Sequence, residues 1–189
     1  MRYLIPLFIY FFMGYSYGQI KDTTQILGIK KIMGSTPTED IYKYVNKVLP
    51  KFILSDLEGN MISSESLKGK PTVINLWFTT CAPCIEEMPL LNEIESNYEQ
   101  KVNFVAVTFQ DISTIKSFLR KKPFNFFHLV DSEEYLKTFG LFGYPKTLIL
   151  DKNLKILQIE KMLRKTQDTS VDTGIEFKES INTLLDTLL

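Results

Sequence analysis

The 189 residues suffice for one domain plus an extension. Hydrophobic residues make up 44%, enough for a core and too many for a chain disordered by composition. Lys plus Arg and Asp plus Glu both number 22, so the formal net charge is zero and no basic face points to nucleic acid.

Arg2 precedes an apolar run from Tyr3 to Met13, and Ser16-Tyr17-Gly18 puts small residues where a signal peptidase cuts. Residues 1–18 are therefore expected to be an export signal, with Gln19 first after cleavage. The alternative is a retained membrane anchor, although the run is shorter than the roughly 20 residues a spanning helix needs. No cysteine follows the run, which argues against a lipid anchor. Residues 19–49 read as a spacer. It contains the breaker cluster Gly34-Ser35-Thr36-Pro37 and then a candidate helix over Thr38–Val48, with Ile41, Tyr44, Val45 and Val48 at helical spacing.

Residues 50–189 read as the main domain. Phe52-Ile53-Leu54 predicts a strand, Asp56 to Asn60 a turn, Ile62 the return, and Ser63 to Leu67 a helical turn. Thr72 to Trp77 is a β-rich run that fits a buried strand. A helix is expected from Cys81 to about Asn97, a strand over Val102–Thr108, and a helix to Arg120 capped by Asp111. Phe126–Val130 is a short extended piece, and Ser132–Phe139 is helical up to Gly140. A strand over Thr147–Leu150 turns through Asp151-Lys152-Asn153 into Ile156–Ile159, as an antiparallel pair. Lys165–Gly174 is polar and reads as loose, and Ile175–Leu188 is an amphipathic helix. Alternating strands and helices imply an α/β fold with a partly parallel central sheet.

The chemistry lies in Trp77-Phe78-Thr79-Thr80-Cys81-Ala82-Pro83-Cys84, between a strand and a helix. Cys81 and Cys84 are the only cysteines, and a link across three positions closes too short a loop to stabilise much chain. A helix N-terminus carries unpaired N–H groups and the positive dipole end, which lower a thiol pKa. That favours Cys81 as attacking thiolate and Cys84, one turn in, as the thiol that resolves a mixed disulfide. Pro83 fits the first turn, where a missing N–H costs little. Four-ligand zinc needs two more Cys or His ligands, and His128 is the only histidine. Haem attachment needs His after Cys84, where Ile85 stands.

From about Pro50 to Glu160 the chain resembles the thioredoxin superfamily, in particular its exported TlpA/ResA-like branch. The matching stretches are Leu67-Lys68-Gly69-Lys70-Pro71, Asn75-Leu76-Trp77, Cys81-Ala82-Pro83-Cys84, Glu87-Met88-Pro89 and Gly143-Tyr144-Pro145-Lys146-Thr147. The resemblance implies a thioredoxin-like fold: a mixed sheet flanked by helices, with the N-terminal β extension of that branch. It implies that Cys81 attacks, that Cys84 resolves, and that Pro145 is a cis-proline facing the dithiol. The Tyr144 backbone would then pair with an extended substrate segment. Glu87 matches an acidic residue of the branch, and three residues after Cys84 it shares that helix face, where it could accept a proton. Pro89 matches a helix-bending proline. Thr80 stands where the family often has Trp, and Asn75 where cytoplasmic thioredoxins carry Asp, which makes Glu87 the candidate carboxylate. Thr80, Pro83 and Tyr144 are the candidate substrate contacts, and Trp77 reads first as a packing residue under the site, with substrate contact as its alternative.

The resemblance implies a periplasmic or envelope thiol–disulfide oxidoreductase needing no cofactor and acting as a monomer. Its substrates would be cysteines of exported proteins, in cytochrome c maturation or envelope thiol maintenance. A membrane thiol-transferring protein would donate electrons. A peroxiredoxin-type peroxidase is one alternative, although Phe78 holds the place of the Thr or Ser expected three residues before the reactive cysteine. A copper-binding assembly factor is another, using Cys81, Cys84 and His128. Phe124, Phe126 and Phe127 read as core.

Overall fold

Thr72-Val73-Ile74-Asn75-Leu76 is buried at every position, as a strand can be only inside a sheet covered on both faces. The computed structural model describes residues 39–161 and 173–189. The export signal at 1–18, the spacer up to residue 38 and the polar stretch 165–172 lie outside the described residues.

Seven strands form one sheet: β1 (Ile53–Asp56), β2 (Met61–Ser63), β3 (Thr72–Leu76), β4 (Asn103–Val107), β5 (Phe127–Val130), β6 (Lys146–Leu150) and β7 (Ile156–Glu160). Their order is β2-β1-β5-β4-β3-β6-β7. β3, β4 and β5 are parallel neighbours, and the remaining pairs are antiparallel, including β6 with β7. The helices are α1 (Ala82–Asn97), α2 (Ile112–Leu119), α3 (Glu133–Lys137) and α4 (Thr173–Leu188). α1 and α2 are the connections of the two parallel steps, which a tight turn cannot make.

Alternation along β3 divides the core in two. Val73 and Trp77 face a cluster with Met88, Leu91 and Ile94 of α1, Ile115 of α2, and Phe177, Ile181 and Leu185 of α4. Ile74 and Leu76 face the other cluster, with Ile41, Phe52, Leu129, Leu136, Phe139 and Leu148. Fully burying one such side chain contributes about 1.5–3 kcal/mol. α1 runs unbroken through Pro89. Its far end is tied to α4, where the Tyr98 hydroxyl donates to Asp186 Oδ1 at 2.7 Å and Lys178 pairs with Glu93. Asp111 caps α2, its carboxylate accepting from the Thr114 N–H at 2.9 Å.

The helix expected over Thr38–Val48 is instead a short 3-10 turn, Asp40–Tyr44. Periodicity gave the wrong element because tertiary pairing claims the backbone. Asn46 turns to φ 67°, its N–H donates to the Ile156 carbonyl, and Lys47 accepts from the Ile156 N–H. Residues 39–49 are thus bonded to the domain, with Ile41 and Leu49 in its core. Asp40 exchanges hydrogen bonds with Leu141, donating from its N–H to the Leu141 carbonyl and accepting from the Leu141 N–H on Oδ2.

Gly140 stops the helical segment at φ 74°, and a Cβ there would lie 2.5 Å from Asp40 Oδ2. Gly140→Ala is therefore expected to destabilise by about 1–2 kcal/mol from backbone handedness alone. The contact with Asp40 adds to that. Urea unfolding measures it, and an unchanged midpoint would show that both the turn and Asp40 shift freely.

Candidate active site

The chain leaves β3 at Leu76 and enters α1 six residues later. Cys81 is the N-cap of α1, and its Sγ accepts from the Cys84 N–H at 3.2 Å. Cys81 and Cys84 form a disulfide with Cα atoms 5.2 Å apart. A reduced Cys81 sulfur would meet the same N–H and the positive end of a 16-residue helix, which favours thiolate. Both sulfurs are in residues under a tenth exposed, between exposed Thr80 and Ala82 and half-buried Pro83. Glu87 is 1% exposed and lies on the buried face of α1 with Cys84 and Met88.

The loop before the dithiol has its own fastening. Gln110 accepts from the Thr79 N–H at 2.7 Å through Oε1 and donates to the Thr79 hydroxyl at 2.9 Å through Nε2. Gln110 follows β4, so this two-point bond fixes the approach to Cys81 against the neighbouring strand. Nothing in the local sequence marks Gln110. Its partner is 31 positions away, and only the β3–β4 register brings them together.

Antiparallel pairing of β3 with β6 sets Leu76 opposite Lys146, so Pro145 enters at the end of β3 that leads to the dithiol. The Tyr144–Pro145 peptide bond is cis. Tyr144 is half-buried, and its ring meets Phe78 edge-on at 5.3 Å and Phe109 at 6.2 Å. The loop before Cys81 and the loop before Pro145 therefore share one aromatic contact. Asn75 donates through Nδ2 to Thr147 Oγ1 at 3.0 Å, deep under the site.

Trp77 packs under the site, as the first of its two readings has it, and does not make the substrate contact of the second. It is fully buried against Phe118, Phe124 and His128, so a protein docking on the surface does not reach it. His128 also lies in this layer, its Nε2 2.9 Å from the Phe124 carbonyl. The copper set of Cys81, Cys84 and His128 is not assembled. Among the described residues, no group of three His, Cys, Asp or Glu side chains could hold a metal ion. Phe124 and Phe126 are core as expected, whereas Phe127 is exposed.

Residues 45–159 match the AhpC/TSA family model. The chain belongs to the AhpC/TSA family. It is 33% identical over 117 residues to thiol-disulfide oxidoreductase ResA of Bacillus thuringiensis subsp. konkukian, covering 60% of this chain and 68% of the relative. A ResA of Geobacillus thermodenitrificans is also 33% identical, over 65% of this chain and 72% of the relative. The thioredoxin domain of a thiol-disulfide oxidoreductase from Bacteroides vulgatus superposes with TM-score 0.62 at 20% identity, over 75% of this chain and 97% of that domain. The fold is thioredoxin-like, and the protein is a thiol–disulfide oxidoreductase.

Two consequences can be measured. Burial holds the His128 imidazole below its ordinary value of 6.5, partly countered by the Phe124 carbonyl. The folded chain thus takes up this proton at lower pH than the unfolded chain. Stability is full above the ordinary value and declines as pH falls toward the folded value, by up to about 1.4 kcal/mol per pH unit. His128→Phe should flatten the dependence of Tm on pH just below 6.5; an unchanged slope would assign it elsewhere. Gln110→Ala should slow disulfide exchange about two- to tenfold, the worth of one or two hydrogen bonds at the approach loop. Stopped-flow Trp77 fluorescence after mixing with a disulfide would read this.

Proposed function

We propose that the protein is exported and reduces disulfides in other exported proteins. The observation that carries this reading is Cys81 as N-cap of α1 with Cys84 and the buried Glu87 on the following turns. In the reduced protein the Cys81 thiolate attacks one sulfur of a substrate disulfide to form a mixed disulfide, and the other substrate sulfur leaves as a thiolate that takes a proton from solvent. Glu87 takes the proton of Cys84, whose sulfur attacks Cys81 Sγ and displaces the substrate sulfur still bound there. Two electrons pass to the substrate, and the Cys81–Cys84 disulfide described above remains.

The Tyr144 backbone, in the loop joined to the one before Cys81 by the Phe78 contact, pairs with an extended stretch of the substrate next to its cysteine. Exposed Thr80 and half-buried Pro83 contact the same stretch. The substrate class is cysteine pairs of envelope proteins, with apocytochrome c cysteines before haem attachment as one case. A membrane thiol-transferring protein returns the dithiol to its reduced state, and the protein works as a monomer in the periplasm or cell envelope. Support comes from the apolar run after Arg2 and from the ResA relatives, which share the reaction class. Among the described residues, no helix is long and apolar enough to cross a membrane. Peroxidase chemistry finds no support at the site, where Phe78 occupies the place of the needed hydroxyl donor.

Trapping tests the roles. Cys84→Ser should accumulate mixed disulfides through Cys81 with envelope proteins, and Cys81→Ser should accumulate none. Equal trapping by both variants would overturn the assignment. Glu87→Gln should slow the resolving step on the order of a hundredfold, at the lower end of general acid–base effects. Decay of a preformed mixed disulfide measures that step, and an unchanged decay would remove Glu87 from the mechanism.

A further inference from the structure

Lys146 is the residue after Pro145, it lies in a central strand, and it is only 4% exposed. Its ammonium reaches three oxygens: the Gly143 carbonyl at 2.6 Å, the Pro145 carbonyl at 3.3 Å and Glu39 Oε2 at 3.0 Å. The other oxygen of the same carboxylate, Glu39 Oε1, accepts from the Gly143 N–H at 3.0 Å. One ion pair therefore holds both backbone groups of Gly143, the N–H from the carboxylate and the carbonyl from the ammonium. A Cβ at Gly143 would come within 3.2 Å of Glu39 Oε1, so the carboxylate lies directly against that backbone.

Stability is a poor account of this arrangement. Lys146 is buried while the Glu39 side chain is 34% exposed, so desolvation of the ammonium offsets much of the attraction and solvent screens the carboxylate. The ammonium supplies direction instead, because its N–H bonds converge on the Gly143 carbonyl, in the peptide unit just before Tyr144, and on the Pro145 carbonyl, one peptide unit beyond the Tyr144–Pro145 bond. Burial by itself would raise the Glu39 carboxyl, but the Gly143 N–H and Lys146 outweigh it and hold the group below the usual carboxylate range. The Glu39 carboxylate is thus ionised at neutral pH. The pair joins residues 107 positions apart, so the segment just upstream of the core completes a loop of the reactive face.

We propose that Glu39 and Lys146 are positioning residues for substrate, fixing the Gly143 peptide units so that the Tyr144 backbone is presented to an extended substrate segment. This rests on the reading above that Tyr144 pairs with substrate through its main chain. The pair touches no reacting atom; it acts through the loop.

The test compares two substrates of the reduced protein, recycled with dithiothreitol. One is a disulfide-bonded peptide with extended flanks, and the other is the same peptide N-methylated at the residues flanking one cysteine. Both accept two electrons from the dithiol, but the second cannot donate those backbone hydrogen bonds. The wild type should prefer the plain peptide, and Glu39→Ala and Lys146→Met should lose about two- to tenfold of that preference, through KM rather than kcat. Glu39→Gln keeps an acceptor for the Gly143 N–H and should restore part of it. If Glu39→Ala fails to fold by circular dichroism, Glu39→Gln and Lys146→Met still decide. Full wild-type preference in every folded variant overturns the positioning role alone. No preference in the wild type overturns main-chain pairing by Tyr144, and the positioning role with it.

Discussion

The antiparallel pairing of β3 with β6 governs the reactive end of this molecule. With Leu76 opposite Lys146, the chain leaving β3 toward Cys81 and the chain arriving through Pro145 must meet at one edge of the sheet. Because both strands are buried along their whole length, that register is hard to change. A slip by one residue would turn Ile74, Leu76 and Leu148 from one core to the other and expel Asn75 from its bond with Thr147. The sheet therefore acts as a ruler for two loops that have little regular structure of their own.

On that ruler three fastenings define the site. Gln110 pins Thr79 ahead of the dithiol, Phe78 and Tyr144 join the two loops, and Glu39 with Lys146 holds Gly143. The dithiol rests on a helix whose far end is bonded to α4 by Tyr98–Asp186 and Lys178–Glu93. Both ends of α1 are thus constrained, one by a helix and the other by the sulfur that caps it.

Much of this was legible in the residues. The strands around Thr72–Leu76 and Asn103–Val107 followed from β-rich apolar runs, and the Asp111 cap from its place before an apolar helical pattern. Cys81, Cys84 and Pro145 were found from motifs whose residues are neighbours in sequence. The three fastenings were not found, because each joins positions 31 or more apart and has no local signature. The helix expected over Thr38–Val48 failed for a related reason. Its apolar spacing was real, and Ile41 is buried, but the backbone groups of Asn46, Lys47 and Leu49 pair with the hairpin at Leu154–Ile156. Trp77 packs beneath the site because strand alternation carries it inward, although it stands only four residues before Cys81.

The Glu39 contact also has a mechanical side. Glu39 bonds the loop that carries Tyr144, and Asp40 bonds the same loop at Leu141. A pull on the backbone at Glu39 would be delivered through Glu39 and Asp40 to Gly143 and Leu141 before any strand of the sheet bears it.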